Sequence, residues 1–244
     1  STPRNLNVTI DSTSPEISST TSSSIISGSD VTILSQITDK ESSVQDANVK
    51  YRSVTQAGNF ISIPLIQSGT TWSVVIPASN IGELGIEYYL EATNVAGLTS
   101  LSPEPPTLTS IRISHPMFAI PYSNFGANPS NYRIISVPLD LAKKTVNDVF
   151  EDEFGKYDKN VGRMYHFENN ATRELNGSSL IEPGKGFWFI AKNSPDKTIA
   201  SGEGLTVSAT LLSPFSIPLS VGWNQIGNPY NFNISWTDVL ATNP

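Results

Sequence analysis

Between Val31 and Thr93 apolar side chains recur at every second position in short runs, and nothing else in the chain constrains its fold as tightly. In "VTILSQITD" Val31, Ile33 and Ile37 fall on one face. In "ANVKYRS" Ala47, Val49 and Tyr51 alternate with Asn48, Lys50 and Arg52. In "TWSVVIP" Trp72, Val74 and Ile76 alternate with Thr71, Ser73 and Val75. In "IEYYLEAT" Ile86, Tyr88, Leu90 and Ala92 alternate with Glu87, Tyr89, Glu91 and Thr93. Successive side chains of an extended strand point to opposite sides of a sheet, so a period of two predicts strands with one buried and one wet face. Turn residues separate the runs at 57–59 ("AGN"), 68–70 ("SGT") and 96–97 ("AG"). "PEISS" at 15–19 predicts an edge strand ahead of them, since proline suits the start of a strand. About seven short strands at this spacing predict an antiparallel sandwich.

Such a sandwich has to hold itself by core burial, because the 244 residues include no cysteine. The same absence excludes disulfides, thiolate metal sites and cysteine nucleophiles. Charged residues make up only 15%, well under the roughly 25% of typical soluble domains. Ser, Thr and Asn supply the polar surface instead, a balance common in secreted β-rich proteins. The net charge of −7, with Lys143-Lys144 as the densest basic step, argues against a nucleic-acid partner, which needs clustered Lys and Arg. No apolar run approaches the roughly 18 residues of a membrane span, so no membrane insertion is expected. The chain opens on Ser1 without a signal peptide and is read as an excised fragment or a processed form.

The run "SDVTILSQITDKESSVQDANVKYRS…TWSVVIPASN…GIEYYLEATNVAG" resembles the immunoglobulin-like or fibronectin type III-like modules of large bacterial secreted proteins. The resemblance is carried by Asp39 behind its strand, by V-x-Y-R at Val49 to Arg52, by W-x-x-x-I-P at Trp72 to Pro77 and by I-E-Y-Y at Ile86 to Tyr89. It covers roughly residues 15 to 102 and implies a sandwich, without implying a ligand. The expected organisation is a flexible lead-in (1–14), an Ig-like or fibronectin type III-like sandwich (15–104), a Pro-rich connector built around "SLSPEPPTLTS" (105–131) and a second β-rich domain with one or two short helices (132–244). The fold class is mainly all-β.

In the second region "YRIISVP" (132–138), "VGRMYHF" (161–167) and the strongly apolar "GKGFWFIA" (184–191) predict strands, with a turn at "LNG" (175–177). "DKTIAS", "GLTVSATLL" and "FSIPLS" suggest three more. "TVNDVFEDEFG" predicts a short helix with Thr145 as N-cap and Gly155 as stop, and "SWTDVL" a last one with Ser235 as N-cap. The region also repeats itself. Tyr132, Ile135, Pro138 and Leu141 match Trp223, Ile226, Pro229 and Phe232, and Asp148-Val149-Phe150 match Asp238-Val239-Leu240 after a slip of one residue. Both copies read as strand, Pro corner, short helix, which is how a structural unit recurs and not how a unique active site does. The second copy stops at Pro244 before any match to "VGRMYHF" or "PGKGFWFIA", so it is expected to be incomplete, in a longer native protein. "YRIISVPL", "PGKGFWFI" and "GWNQIGNPYNF" with "SWTDVL" resemble a module near the C-terminus of multidomain cargo of the bacterial type IX secretion system. That resemblance implies a non-catalytic part accompanying adhesins, proteases or glycan-degrading enzymes, with a sorting domain further on.

Catalytic signals are weak. "YHFEN" holds one His and is no H-E-x-x-H, so a zincin is excluded. His166 is expected to be structural and His115, before Pro116, solvent-exposed. No G-x-S-x-G elbow accompanies either His. Asp148, Glu151, Asp152 and Glu153 read as a solvated helix face, since a glycosidase needs two opposed carboxylates across a cleft. Asp39, Glu41 and Asp46 near a strand end are weak calcium candidates without the D-x-D-x-D-G spacing. "PGKGF" is not a P-loop. No catalytic residue and no cofactor are expected.

The remaining candidates are aromatic. A flat ring can stack on a sugar's apolar face, and it can equally anchor a core. Trp72, Trp188, Trp223 and also Ile226 are expected in the core, the last two in a strand covered on both faces. Tyr89 alternates outward, and with Tyr230 and Trp236 it forms the speculative ligand-binding set. The expected function is a non-catalytic extracellular or cell-surface spacer, adhesion or scaffold fragment of a larger secreted bacterial protein. The alternative is a carbohydrate-binding accessory module of a secreted glycan-degrading enzyme. Expected partners are other domains of the parent chain and a surface glycan or protein.

Overall fold

A computed structural model describes residues 10–54, 58–210 and 212–242. The protein is mainly β, with antiparallel sheets and, among the described residues, two short helices. The chain divides into two compact units. The first takes in residues to Ser23, Gly28–Gly82 and Ile86–Ile111, and the second Ser24–Ser27, Glu83–Gly85 and the chain from Arg112.

The first unit is built from two sheets. One runs β1 (Glu16–Ser19), β3 (Val31–Thr38), β7 (Thr71–Ile76), β6 (Ile66–Ser68). The other runs β5 (Ile61–Pro64), β4 (Val44–Ser53), β8 (Ile86–Asn94), with β9 (Thr99–Ser102) and the first residues of β10 (Thr109–His115) along the far edge of β8. The register pairs inward residues with inward residues: Val31 with Ile76 in one sheet, Val49 with Leu90 and Tyr51 with Tyr88 in the other. Val31, Ile33, Ile37, Trp72 and Ile76 are buried from one side, and Ala47, Val49, Tyr51, Tyr88, Leu90 and Ala92 from the other. Each large apolar side chain so covered contributes roughly 1.5–3 kcal/mol. Ser19 and Tyr88 share a hydroxyl–hydroxyl hydrogen bond at 3.3 Å.

One position departs from the alternation. Glu87 was expected on the wet face, yet it is 0% exposed. Its strand lies between β4 and β10, so Glu87 faces Arg52 on one side and Ser110 on the other. The Arg52 Nε donates to Glu87 Oε1 at 2.6 Å. The same guanidinium lies 4.5 Å above the Phe60 ring, and the Arg52 side chain is 18% exposed against 0% for Glu87. Packing on the outer face therefore overrides the period of two here.

In the second unit β11 (Arg133–Ile135), β15 (Phe187–Ala191), β13 (Gly162–Glu168) and β14 (Ala171–Glu174) form an antiparallel sheet in that order. The helix α1 (Val146–Phe154) begins where expected: Asp148 N–H donates to Thr145 Oγ1 while Thr145 N–H donates to Asp148 Oδ2, a reciprocal cap. It ends at Gly155, whose φ of +75° suits glycine. Val146, Val149 and Phe150 face the core at helical spacing, and Phe150 stacks on Phe189 at 5.2 Å. The second helix, α2 (Trp236–Thr242), follows Ser235, whose carbonyl accepts from Asp238 and Val239.

Residues 105–131, expected as a connector, carry β10, bury Ile111, Ile113 and Ile120, and end in a turn of 3-10 helix at Pro129–Asn131. The end of β10 pairs with β2 (Ser24–Ile26) on one side and β16 (Gly204–Leu205) on the other, and β16 also pairs with β12 (Asp140–Leu141). The pairing of β10 with β16 extends in a single antiparallel register. Thr206 N–H donates to Ile113, Ser201 N–H to Phe118, and Ile120 N–H to Ile199, with Ala119 opposite Ala200. Of the lead-in, residues 1–9 lie outside the described ones, while Ser12 and Thr13 are tied to Glu41.

Candidate functional site

A cleft of about 660 Å³ opens in the second unit. One wall is the β13–β14 hairpin with His166, Phe167, Glu168 and Asn169. Another is the loop Glu182–Lys185, and the third is the run from Phe215 to Ile226. Two glycines let these pieces close up. Gly184 has φ +82°, and a Cβ there would stand 3.0 Å from the Phe215 ring and 3.1 Å from Ile217. Gly227 donates its N–H to the Gly184 carbonyl at 3.0 Å, and a Cβ on it would stand 2.5 Å from Ser136 Cβ. Side chains crowd Gly184, and at Gly227 the Lys185 carbonyl closes in as well, 2.7 Å from a Cβ. Ser136 is the residue that matches Gly227 in the repeat, so the two copies meet at equivalent positions, flanking the chain on either side of Gly186. Ile226 bridges Lys185 while Ile135 pairs with Phe187.

The word "GWNQIGNPYNF" is a corner, and its amides hold it shut. Asn224 donates to the carbonyls of Ser220 and Gly222 and accepts from Ser220 N–H. Asn228 donates to the Phe232 carbonyl and accepts from Tyr230 N–H. Gln225 Oε1 accepts from Phe167 N–H at 2.8 Å, while its buried Nε2 has no partner among the described residues. Tyr230 and Phe232 stack at 5.3 Å, 14° from parallel.

The expected burial of Trp223 and Ile226 is overturned. Trp223 is 86% exposed and Ile226 37%. Among the described residues only the bridge at Lys185 pairs this run, so no second strand covers the faces. Trp188, also expected in the core, is 41% exposed. On β15 its neighbours Phe187 and Phe189 point inward, so the alternation itself turns Trp188 out, beside Ile134 and Tyr165 on the adjoining strands. Trp72 is buried as expected.

The speculative ligand set is divided between the two units. Tyr89 belongs to the first unit, half-buried with Phe60 edge-on at 5.1 Å. Tyr230 is half-buried against Phe232, and Trp236, at 60%, is exposed on α2. None of the three lines the cleft; Trp223 and Phe215 do. The signal for that lay in the sequence: Phe215, Ile217, Leu219, Val221 and Trp223 alternate strictly. "FSIPLS" was expected as a strand, and it forms none. Leu219, Val221 and Trp223 stand in solvent instead.

The calcium candidates point their oxygens at N–H groups. Asp39 accepts from the N–H groups of Ser42 and Glu41 and from Asn94, and Glu41 accepts from Ser12 and Thr13. Hydrogen bonds from Ser42 and Ser12 foremost hold both carboxyls below the usual range. Asp46 faces Asn48. Where a cation would sit among Asp11, Asp39 and the Thr13 carbonyl, the buried Asn94 Nδ2 sits, 2.8–3.2 Å from each. Among the described residues no cluster of His, Cys, Asp or Glu is arranged for a metal.

Of the histidines, His166 is buried and donates Nδ1–H to the Gly186 carbonyl at 2.9 Å, as a structural His should. His115, expected in solvent, is half-buried: Asn231 lies 3.2 Å from its Nε2, and burial lowers its pKa. In the acidic run Asp148 caps α1, Glu151 and Asp152 are exposed, and Glu153 turns back to accept from Ala200 N–H. Burial pushes the Glu153 carboxyl up. No protein-family model and no curated protein sequence matches the chain.

Proposed function

We propose that the chain is a non-catalytic module of a larger secreted or cell-surface bacterial protein, acting as a scaffold or adhesion element through the cleft of its second unit. The observation that carries this reading is the apolar row Leu219, Val221 and Trp223, exposed beside a cleft whose Asn224 amide is committed to its own loop. A large apolar patch held open at a rim marks an interaction site. Of the charged groups that line it, Lys185 pairs with Glu182 and Lys144 with Asp140.

The carbohydrate-binding alternative gains one specific observation, the open Trp223 ring at the cleft. A glycan array separates the two. The expected result is no micromolar binding by the purified protein. Micromolar binding that disappears in Trp223→Ala, and persists in Tyr89→Ala, transfers the assignment to the alternative. Hydrolysis of a peptide or polysaccharide overturns both.

A further inference from the structure

The segment before each copy of the repeat carries the same four-residue pattern: Phe118-Ala119-Ile120-Pro121 before the first, Phe215-Ser216-Ile217-Pro218 before the second. The first is paired, through a single bridge and its flanking hydrogen bonds. Ser201 N–H donates to the Phe118 carbonyl, Ile120 N–H donates to the Ile199 carbonyl, and Ile120, Ile199 and Ser201 are buried. The second repeats the Phe, Ile and Pro, with Ser216 in place of Ala119. Among the described residues no backbone–backbone hydrogen bond joins 214–222 to any other segment. Its period-two apolar series runs on to Trp223, with Val221 95% exposed. The Asn224 side chain takes the N–H and C=O of Ser220 and the C=O of Gly222, and Pro218 has no N–H. A segment whose remaining backbone groups find no partner among the described residues, and which carries one apolar face, is a template for an added strand.

We propose that Phe215–Trp223 is an acceptor for a β-strand supplied by a partner polypeptide. The incoming segment pairs antiparallel, as Ile199–Ser201 pairs on Phe118–Ile120. The charge of the site fits a neutral or basic segment. Lys185 pairs with Glu182 and Lys144 with Asp140, which leaves Glu168 without an ion-pair partner among the described residues. The segment occupying the first copy carries Lys197 just ahead of Thr198. This inference rests on the scaffold reading and names what the scaffold holds.

The test uses a synthetic peptide of the sequence Asp196–Gly202, titrated into the full chain and followed by Trp fluorescence and by backbone amide shifts of 215–223. The expected result is saturable binding with shifts confined to that segment. N-methylation at the Ser201 position removes the donor that faces the acceptor strand and weakens binding about tenfold, the value of one lost hydrogen bond near 1.4 kcal/mol. N-methylation at the Ala200 position, whose N–H faces the opposite way toward Glu153 in the first copy, leaves binding unchanged. Ile217→Pro, which removes the amide matching Ile120, abolishes it. Equal binding of both methylated peptides, equal binding of a scrambled peptide, or no binding overturns the proposal. A self-associated protein that the peptide fails to enter makes the occupant a second copy and overturns it too. Absence of peptide binding without any glycan binding or hydrolysis leaves the scaffold reading standing.

Discussion

Asn94→Ala tests how the first unit holds its N-terminal segment. The side chain is fully buried and sits at a crossing of three stretches. Its Nδ2 donates to Asp11 Oδ2, the Thr13 carbonyl and Asp39 Oδ2, with two protons shared among three acceptors, and its Oδ1 accepts from Ala96 and Leu98 N–H. Two donated protons and two accepted bonds, at about 1 kcal/mol net each, set a ceiling near ~4 kcal/mol. Neighbouring bonds are not additive, so a loss of about 3 kcal/mol is expected. In a sandwich of about a hundred residues that lowers Tm by roughly 12–20 °C. Differential scanning calorimetry reads the shift, and hydrogen exchange at Ser12 and Thr13 reads release of the segment. Asn94→Asp is worse than Ala at pH 7, because it places a carboxylate between Asp11 and Asp39, and the difference narrows in acid. A Tm change under about 5 °C for Asn94→Ala, or unaltered exchange at Ser12 and Thr13, refutes the reasoning.

Trp72→Ala costs about 3–5 kcal/mol by urea denaturation, whereas Trp223→Ala stays within about 0.5 kcal/mol; equal losses would return Trp223 to the core. Gly227→Ala drives a Cβ to 2.5 Å from Ser136 and destabilises the second unit, by about 1–3 kcal/mol in the same assay; a neutral result would mean the two copies are not closely apposed. Arg52→Leu strands the Glu87 carboxylate and costs about 3–5 kcal/mol, while the double substitution with Glu87→Leu recovers most of it; a double variant as unstable as the single contradicts the buried pair. The folded Asp39 carboxyl titrates below its unfolded value, so its contribution is complete above the unfolded pKa and is lost as pH falls through the lower folded one. NMR titration should therefore place Asp39 below 3.8, and a value at or above that excludes the Ser42 cap.

What the amino-acid sequence determined by itself was local. The period of two set the strands of the first unit and their inward residues, because side-chain direction in a strand depends on the backbone alone. Thr145 and Gly155 set the ends of α1, since capping acts within one turn. Asn228 and Pro229 set the corner of the second copy, where the Asn228 side chain bonds Tyr230 and Phe232 backbone. The tertiary structure decided what lies over each face. Alternation told that Trp188 opposes Phe187 and Phe189, and only packing put the phenylalanines inside. Glu87 broke the rule because Arg52 and Phe60 cover its outer side. Phe215 to Trp223 carries a strand's pattern and forms no strand, whereas Phe118–Ile120, which shares its Phe and Ile, bridges Ile199–Ser201. A strand is stable when its hydrogen-bonding edge and its apolar face both find partners, and those partners come from residues distant in the chain. The same pattern is therefore bridged and buried at Ile120 in one copy, and without a backbone–backbone partner among the described residues in the other.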